Sequence, residues 1–200
     1  ETVIAGIGQG YWVVTPLQLT HAVAVLANAG LPHAPHLLRA TRAASNAPVV
    51  TLNYPDPSAS LIRNPADFEA VRAGMIGVVN DPRGTAYQAG IRIGFPYVIA
   101  GKTGTAERFS RRSDTWTTTK NKAILAARHR ALFECFTPAD APRIAVAVVL
   151  EAGAWGGSDA APIARKILDA WLTEQPDAPR PPIVVTAAAA ATDTKTQAAQ

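Results

Sequence analysis

Apolar residues recur at helical spacing near the start of the chain and predict its first helix. Thr15, Pro16 and Gln18 supply a helix cap, a proline suited to the first turn and the glutamine of a capping box. Gly30 is placed to end the helix. The broad apolar face that we expect to be buried consists of Leu17, Leu19, Ala22, Val23, Val25, Leu26 and Ala29.

A second helix is predicted after a loop-rich stretch. Residues 31–64 contain five prolines and one segment, 49–52, that we expect to be extended. Asn64 then caps the helix and Pro65 occupies its first position, whereas turn residues at 80–84 end it. The side chains that we expect to face the core are Phe68, Val71, Met75 and Val78.

Three apolar segments in the second half of the chain predict successive antiparallel strands at residues 97–105, 131–136 and 143–151. The third contains an unbroken apolar run at 144–150, which is typical of a strand covered on both faces. Glycines then form a turn, and Ser158 or Asp159 caps a last helix. The apolar stripe of that helix consists of Ile163, Ile167, Leu168, Trp171 and Leu172.

This order of elements predicts an α+β domain over residues 1–174, in which helices pack on a three-stranded antiparallel sheet. Residues 175–200 differ in composition, because four prolines are followed by alanine, threonine and glutamine. We expect this tail to be disordered, since it cannot bury enough apolar surface to offset the entropy of ordering it.

Composition excludes several classes of protein. The sequence contains no run of about 18 apolar residues, so it predicts no membrane span. It also shows no basic leader before the first helix. The chain is therefore either cytosolic or part of a longer exported protein. The single cysteine, Cys135, lies in an apolar segment and is expected to be a small buried side chain. Four histidines and one cysteine show no metal-ligand spacing, and we expect no cofactor.

The net charge of +4 is unevenly distributed, because basic residues crowd a segment at 108–130 that we call the basic loop. Such a loop is either a solvated surface or a site for a polyanion, such as nucleic acid, anionic lipid or an acidic wall polymer. Phe109 and Trp116 are its only rings for base stacking, so we expect no nucleic acid. Its basic residues are Arg108, Arg111, Arg112, Lys120, Lys122, Arg128, His129 and Arg130.

The segment Gly101-Lys102-Thr103-Gly104-Thr105-Ala106 carries the candidate chemistry. Gly-Lys-Thr also ends a phosphate-binding loop, but that loop needs a glycine where this chain has Pro96. On a strand, Lys102 and Gly104 lie on one face, and Thr103 and Thr105 on the other.

Each residue of this strand has a chemical use beside a groove. The ammonium of Lys102 can supply positive charge to the proton relay of a nucleophile, and the hydroxyls of Thr103 and Thr105 can donate to a substrate carboxylate. Gly104 leaves room for a substrate backbone, and the backbone N–H of Thr105 can form half of an oxyanion hole. The alternative is an ordinary strand end.

Five motifs together resemble the C-terminal part of the transpeptidase domain of class B penicillin-binding proteins, in particular the elongation enzymes of rod-shaped Gram-negative bacteria. They are Gly8-Gln9-Gly10-Tyr11, Thr15-Pro16-Leu17-Gln18, Ala27-Asn28-Ala29-Gly30, Gly84-Thr85-Ala86 and Gly101-Lys102-Thr103-Gly104-Thr105-Ala106. The resemblance covers about residues 1–172 and implies the fold shared by these proteins and serine β-lactamases. By it, Lys102, Thr103, Gly104 and Thr105 match the third motif of the active site.

The resemblance also implies a function: a serine D,D-transpeptidase that cross-links peptidoglycan stem peptides during cell elongation and is acylated by β-lactams. Its implied partners are the stem peptides, β-lactams, a missing N-terminal part and membrane proteins of the elongation complex. Its implied location is the periplasmic face of the bacterial inner membrane, through an anchor outside this chain.

Two family motifs, Ser-x-x-Lys with the nucleophile and Ser-x-Asn, do not occur in this chain. The nearest sequences are Thr117-x-x-Lys120, Thr192-x-x-Lys195 and Thr119-Lys120-Asn121, none of which lies in a predicted helix. In the family, both motifs precede the stretch that matches Glu1, so we expect the chain by itself to be an inactive fragment. The alternative function is a non-catalytic module that binds a polyanion or protein partner with the same groove and the basic loop.

Overall fold

A three-stranded antiparallel sheet lies at the centre of the structure, a computed structural model that describes residues 2–55, 57, 59–106 and 129–174. In spatial order its strands are β3 (Ala100–Ala106), β4 (Arg130–Thr137) and β5 (Ile144–Leu150). The helices are α1 (Thr2–Gly6), α2 (Pro16–Ala27), α3 (Pro65–Asn80) and α4 (Ala161–Glu174). The remaining elements are the paired strands β1 (Ala40–Thr41) and β2 (Val50–Thr51), a 3-10 turn (Tyr87–Ala89) and a π-helical turn (Gly156–Ala160). The predicted α+β class and three antiparallel strands are confirmed.

The two faces of the sheet are covered by different helices. On one face, α4 packs through Ala164 and Leu168 against Phe133 and Val148. The other face carries Ala100, Phe136 and Ala145, and packs against Val23 of α2 and Met75 of α3. The apolar strand β5 is thus covered on both faces, as predicted, and Met75 is buried as expected.

The starts of α2 and α3 follow the predicted caps, because capping depends only on residues adjacent in sequence. The backbone N–H of Gln18 donates to Thr15 Oγ1 at 3.2 Å, and that of Thr15 donates to Gln18 Oε1 at 2.8 Å. The amide oxygen of Asn64 accepts from the N–H of Ala66 at 3.0 Å. Gly30, just after α2, has a φ of 81° that favours glycine.

Predicted apolar faces were too broad. Leu17, Ala22 and Ala29 are exposed at α2, because this helix contacts the sheet along a narrow line through Val23 and Leu26. Val71 of α3 and Ile167 of α4 are also exposed. These corrections share one cause: helical spacing shows that side chains are aligned, but not how wide a surface the rest of the fold covers.

Some predicted boundaries also move. β3 begins at Ala100 rather than at residue 97, because other elements bind the preceding carbonyls: Ala139 N–H donates to Val98 O, and Asn80 Nδ2 donates to Ile99 O at 2.9 Å. α4 begins at Ala161, so neither Ser158 nor Asp159 is its cap; both lie in the π-helical turn. β2 lies in the predicted extended segment 49–52, whereas its partner β1 was missed because two-residue strands leave no alternation to detect.

Cys135 is fully buried in β4, as expected. Burial, with a contribution from the negative charge of Glu134, raises the pKa of its thiol to about 12.

In the described part of the chain, no helix has the length and hydropathy needed to cross a bilayer. The predicted tail at 175–200 lies outside the described residues, as does the basic loop apart from His129 and Arg130.

The segment that contains α1 and the start of α2 exposes large apolar side chains. Val13 is 89% exposed, Tyr11 79% and Trp12 65%. We call this set the amino-terminal apolar surface: Val3, Ile7, Tyr11, Trp12, Val13 and Leu17. Several large exposed apolar side chains in one segment are typical of a surface that binds another surface.

We predict that residues 1–174 expressed alone self-associate, because water-exposed apolar surface and unpaired strand edges favour contact between chains. Light scattering against concentration should show this, and Val13→Thr with Leu17→Gln should reduce it. The matched control is Leu61→Gln, which removes an exposed leucine outside the amino-terminal apolar surface and should change nothing. A monomer with a sharp cooperative thermal transition would contradict the prediction.

Candidate functional site

All four predicted site residues lie on β3, in register with β4. Lys102 is opposite Glu134, Thr103 opposite Phe133 and Gly104 opposite Leu132. Because side chains alternate along a strand, Lys102 and Gly104 lie on the face covered by α2 and α3, and Thr103 and Thr105 on the face covered by α4. The lysine and the hydroxyls therefore flank one strand from opposite sides.

Thr103 borders an open groove on the α4 side of the sheet, which we call the threonine groove. Its hydroxyl lies 2.7 Å from that of Thr85, which comes from the loop after α3. The groove is lined by Thr85, Gln88, Thr103, Gly104, Thr105, Trp155, Ser158 and Pro162, with Ala89, Gly156 and Gly157. Thr85 thus places a second hydroxyl beside the predicted one, so two oxygens can contact a ligand group at this point.

The wall of the threonine groove is held close to the sheet by two glycines. A Cβ on Gly156 would lie 2.1 Å from Leu132 O and 2.8 Å from Gly104 O. A Cβ on Gly157 would lie 2.3 Å from Thr85 O. Any other residue at these positions would collide with backbone, so the pair allows the turn, and Trp155 with it, to reach β3.

Asp159 fixes the same turn by reaching back to it. Its Oδ2 accepts from the backbone N–H groups of Ala154 at 2.6 Å and Trp155 at 3.2 Å, and its Oδ1 accepts from the hydroxyl of Ser158 at 2.7 Å. These hydrogen bonds, that from Ser158 first, lower the pKa of the Asp159 carboxyl below its ordinary value. The ionised carboxylate therefore stabilises the conformation that presents Trp155 to the groove.

Among the described residues β3 is an outer strand of the sheet, and its free edge, the side away from β4, carries the backbone groups of Thr105. Gln9 Nε2 donates to Thr105 O at 2.9 Å, although the two residues are 96 positions apart. In an antiparallel pair, the N–H and C=O of one residue point to the same side, so a carbonyl bound by Gln9 indicates that both point away from β4. This geometry supports the expected use of the Thr105 N–H as an oxyanion donor.

The α2 side of the strand is the environment of Lys102. The side chain of Lys102 is exposed, and its ammonium donates to Thr103 O. Glu134 is half-buried beside it on β4; burial raises the pKa of the Glu134 carboxyl, and the charge of Lys102 offsets part of that rise. The site therefore combines an exposed cation with a partly desolvated anion.

Sequence reasoning named the strand but missed the groups that other elements bring to it. Thr85 and Gln9 were quoted only within motifs, Asp159 was named only as a possible helix cap, and Trp155 and Glu134 were given no role. The adjacent glycines 156 and 157 were the available signal, since a glycine pair after a strand indicates close backbone approach. No cluster of three or more metal-binding side chains occurs among the described residues.

Comparison with known proteins identifies the family. The model of the penicillin binding protein transpeptidase domain matches residues 1–169. The chain is 38% identical over 177 residues to the peptidoglycan D,D-transpeptidase MrdA of Haemophilus influenzae, which covers 88% of this chain and 26% of that protein.

Two solved structures are similar to the fold. Pseudomonas aeruginosa PBP2 in complex with WCK 5153 is 39% identical with a TM-score of 0.65, covering 86% of this chain and 33% of that one. PBP2 of Helicobacter pylori in complex with MreC is 29% identical with a TM-score of 0.61, covering 86% and 27%. The chain thus spans about a quarter of its curated relative, and the matches confirm the family resemblance and fold.

We predict that Asp159→Asn frees the groove wall, because a neutral amide accepts backbone hydrogen bonds more weakly than a carboxylate. Amide exchange at Ala154 and Trp155 should lose protection by roughly tenfold. In the unsubstituted chain the same protection should persist above the ordinary pKa of aspartate and be lost as the pH falls through the lowered folded-state pKa.

The control for this experiment is Asp169→Asn, whose carboxylate binds the Arg165 side chain instead of the turn. It should leave the exchange of Ala154 and Trp155 unchanged. Equal protection in the Asp159 variant would show that the glycine contacts alone hold the turn.

Proposed function

Because this chain belongs to the penicillin-binding protein transpeptidase domain family, we propose that it forms part of a serine D,D-transpeptidase of the PBP2 type. The observation that carries the proposal is the placement of Lys102, Thr103, Gly104 and Thr105 on the free edge of β3. A substrate backbone can lie along such an edge and contact both faces of the strand. The strand therefore offers a cation, hydroxyls and a backbone donor to one bound peptide.

Each group has a role in acyl transfer. The hydroxyls of Thr103 and Thr105 donate to the carboxylate of the peptide substrate or antibiotic, and Thr85 supports the first of them at 2.7 Å. The backbone N–H of Thr105 stabilises the oxyanion of the tetrahedral intermediate. Lys102 provides positive charge to the proton relay of the nucleophile.

The nucleophile is a serine from a segment outside this chain, since the chain contains no Ser-x-x-Lys. Its hydroxyl oxygen bonds to the substrate carbonyl carbon, and the peptide C–N bond breaks as the leaving amine takes a proton. The amine of a second stem peptide then attacks the ester and releases the serine, forming the cross-link. A β-lactam supplies its ring amide in place of the peptide and leaves the serine acylated.

We further propose where the whole protein works and with what partners. The relative from Haemophilus influenzae is named a peptidoglycan D,D-transpeptidase, and peptidoglycan is the polymer of the bacterial cell wall. This supports a location at the periplasmic face of the inner membrane, with peptidoglycan stem peptides as substrates. The complex of Helicobacter pylori PBP2 with MreC supports membrane proteins of cell elongation as partners.

We predict that substitutions on β3 reduce acylation of the whole protein by a fluorescent penicillin. Thr103→Val or Thr105→Val removes a donor to a charged group, which should cost about 1.5–3 kcal/mol, or roughly ten- to a hundredfold in acylation efficiency. Lys102→Ala should cost more, since no other cation lies on β3.

The comparison variant for these substitutions is Arg111→Ala in the basic loop, which should leave acylation nearly unchanged. It also separates the alternative function, a non-catalytic module that binds through that loop. A damaging Arg111→Ala together with a silent Lys102→Ala would transfer the functional site from β3 to the basic loop.

We also predict that the 200-residue chain by itself forms no covalent adduct with a penicillin, because a lysine and threonines on a strand supply electrostatics without an activated nucleophile. Intact-protein mass spectrometry after incubation should show an unchanged mass. A stoichiometric increase that maps to a serine or threonine would identify a nucleophile within the chain.

A further inference from the structure

Glu134 is an acidic residue in the middle strand of the sheet, with Phe133 and Cys135 beside it in sequence. β4 reads Arg-Ala-Leu-Phe-Glu-Cys-Phe-Thr, and Glu134 pairs with Lys102 on β3 and with Ala147 on β5. Directly opposite residues of an antiparallel pair have Cβ atoms about 4.5–5.5 Å apart on the same face. The carboxylate and the ammonium therefore share one face at the candidate site.

The position of Glu134 lowers the stability of the folded chain at neutral pH. Burial raises the pKa of its carboxyl, because removal from water disfavours the charged form. A raised folded-state pKa contributes stability that is complete below the unfolded-state pKa and is lost as the pH rises through the folded-state pKa. An uncharged side chain at this position would avoid that loss.

Among the described residues, Lys102 is the charge that acts on Glu134. The other charged or titratable groups on β4 and on the described elements packed against it are Arg130, Cys135, His21, Asp159, Arg165, Lys166, Asp169 and Glu174. The charged groups of α4 and of the π-helical turn lie on the face of the sheet opposite to Glu134, as does the thiol of Cys135. Arg130 forms an ion pair with Glu151 at 3.1 Å, and His21 Nε2 lies 2.9 Å from His33 O. Burial and the Lys102 charge are the two influences on the Glu134 pKa.

The two side chains interact through space. In the part of the chain that the structure describes, no ion pair joins them, and the ammonium of Lys102 donates instead to Thr103 O. An ammonium has three donors, so this arrangement leaves two for a nucleophile and a substrate. A direct ion pair would occupy a further donor and draw the lysine away from the edge of β3.

We propose that Glu134 is a positioning residue for Lys102: its half-buried carboxylate, opposite Lys102 in the register of β3 and β4, attracts the ammonium to the α2 side of β3 without occupying its donors. The proposal rests on the proposed function, because it assigns Glu134 a role through the lysine of that site. It adds a carboxylate from the neighbouring strand β4 to the site residues that β3 supplies.

The test uses the whole protein and Glu134→Gln, which keeps the shape and removes the charge. Acylation by a fluorescent penicillin should slow by roughly three- to tenfold, the scale of a partly screened charge pair. The melting temperature at neutral pH should stay the same or rise.

Two further variants complete the experiment. Glu134→Asp keeps the charge and should restore most of the rate, including where the Gln variant folds poorly. Glu69→Gln removes a carboxylate that pairs with Arg72 on α3, away from the site, and should leave the rate unchanged.

The outcomes separate this inference from the function on which it rests. If the unsubstituted protein is acylated and Lys102→Ala is not, an unchanged rate in Glu134→Gln overturns the role of Glu134 and leaves the function standing. A slower rate with a lower melting temperature, which Glu134→Asp does not restore, also overturns it, because that pattern is structural. Failure of the unsubstituted whole protein to acylate overturns the proposed function itself.

Discussion

The pairing of β3 with β4 determines where every group of the candidate site points. Gly104 lies opposite Leu132, so the backbone groups of Thr105 face the open edge, and Lys102 and Thr103 face opposite sides. A slip of one residue would exchange the faces of the lysine and the threonines. The register is enforced from the core, because Phe133 fills the space over Gly101, where a Cβ would lie 2.7 Å from its ring.

The outer layers add to this strand without belonging to the sheet. Thr85 arrives from the loop after α3, Gln9 from the segment before α2, and Trp155 from the turn before α4. Thr85 and Trp155 depend on the close backbone approach that Gly156 and Gly157 allow. Gln9 depends on the hydrogen bond from its side-chain amide to Thr105 O. The site is therefore a meeting of distant segments on one edge.

The difference between contacts among residues that are neighbours in sequence and contacts between distant segments explains what the sequence could predict. The caps at Thr15 and Asn64 and the three strands were predictable, because each depends on neighbouring residues or on an uninterrupted apolar run. The exposure of Leu17 and Val71 was not, since it depends on which surfaces the fold covers. The pairing of Glu134 with Lys102 and the reach of Asp159 were equally hidden, because register and turn geometry bring these groups together only after folding.

The buried thiol of Cys135 can be used to measure how often the structure around β4 opens. The chain has one cysteine, fully enclosed in the central strand, with a pKa of about 12 that leaves little thiolate at neutral pH. An alkylating reagent can reach it only when the layers around β4 separate. The rate at which the Cys135 thiol is alkylated therefore reports how often the sheet opens. A cysteine engineered at the surface can be labelled with a dye while Cys135 stays unlabelled in the folded chain.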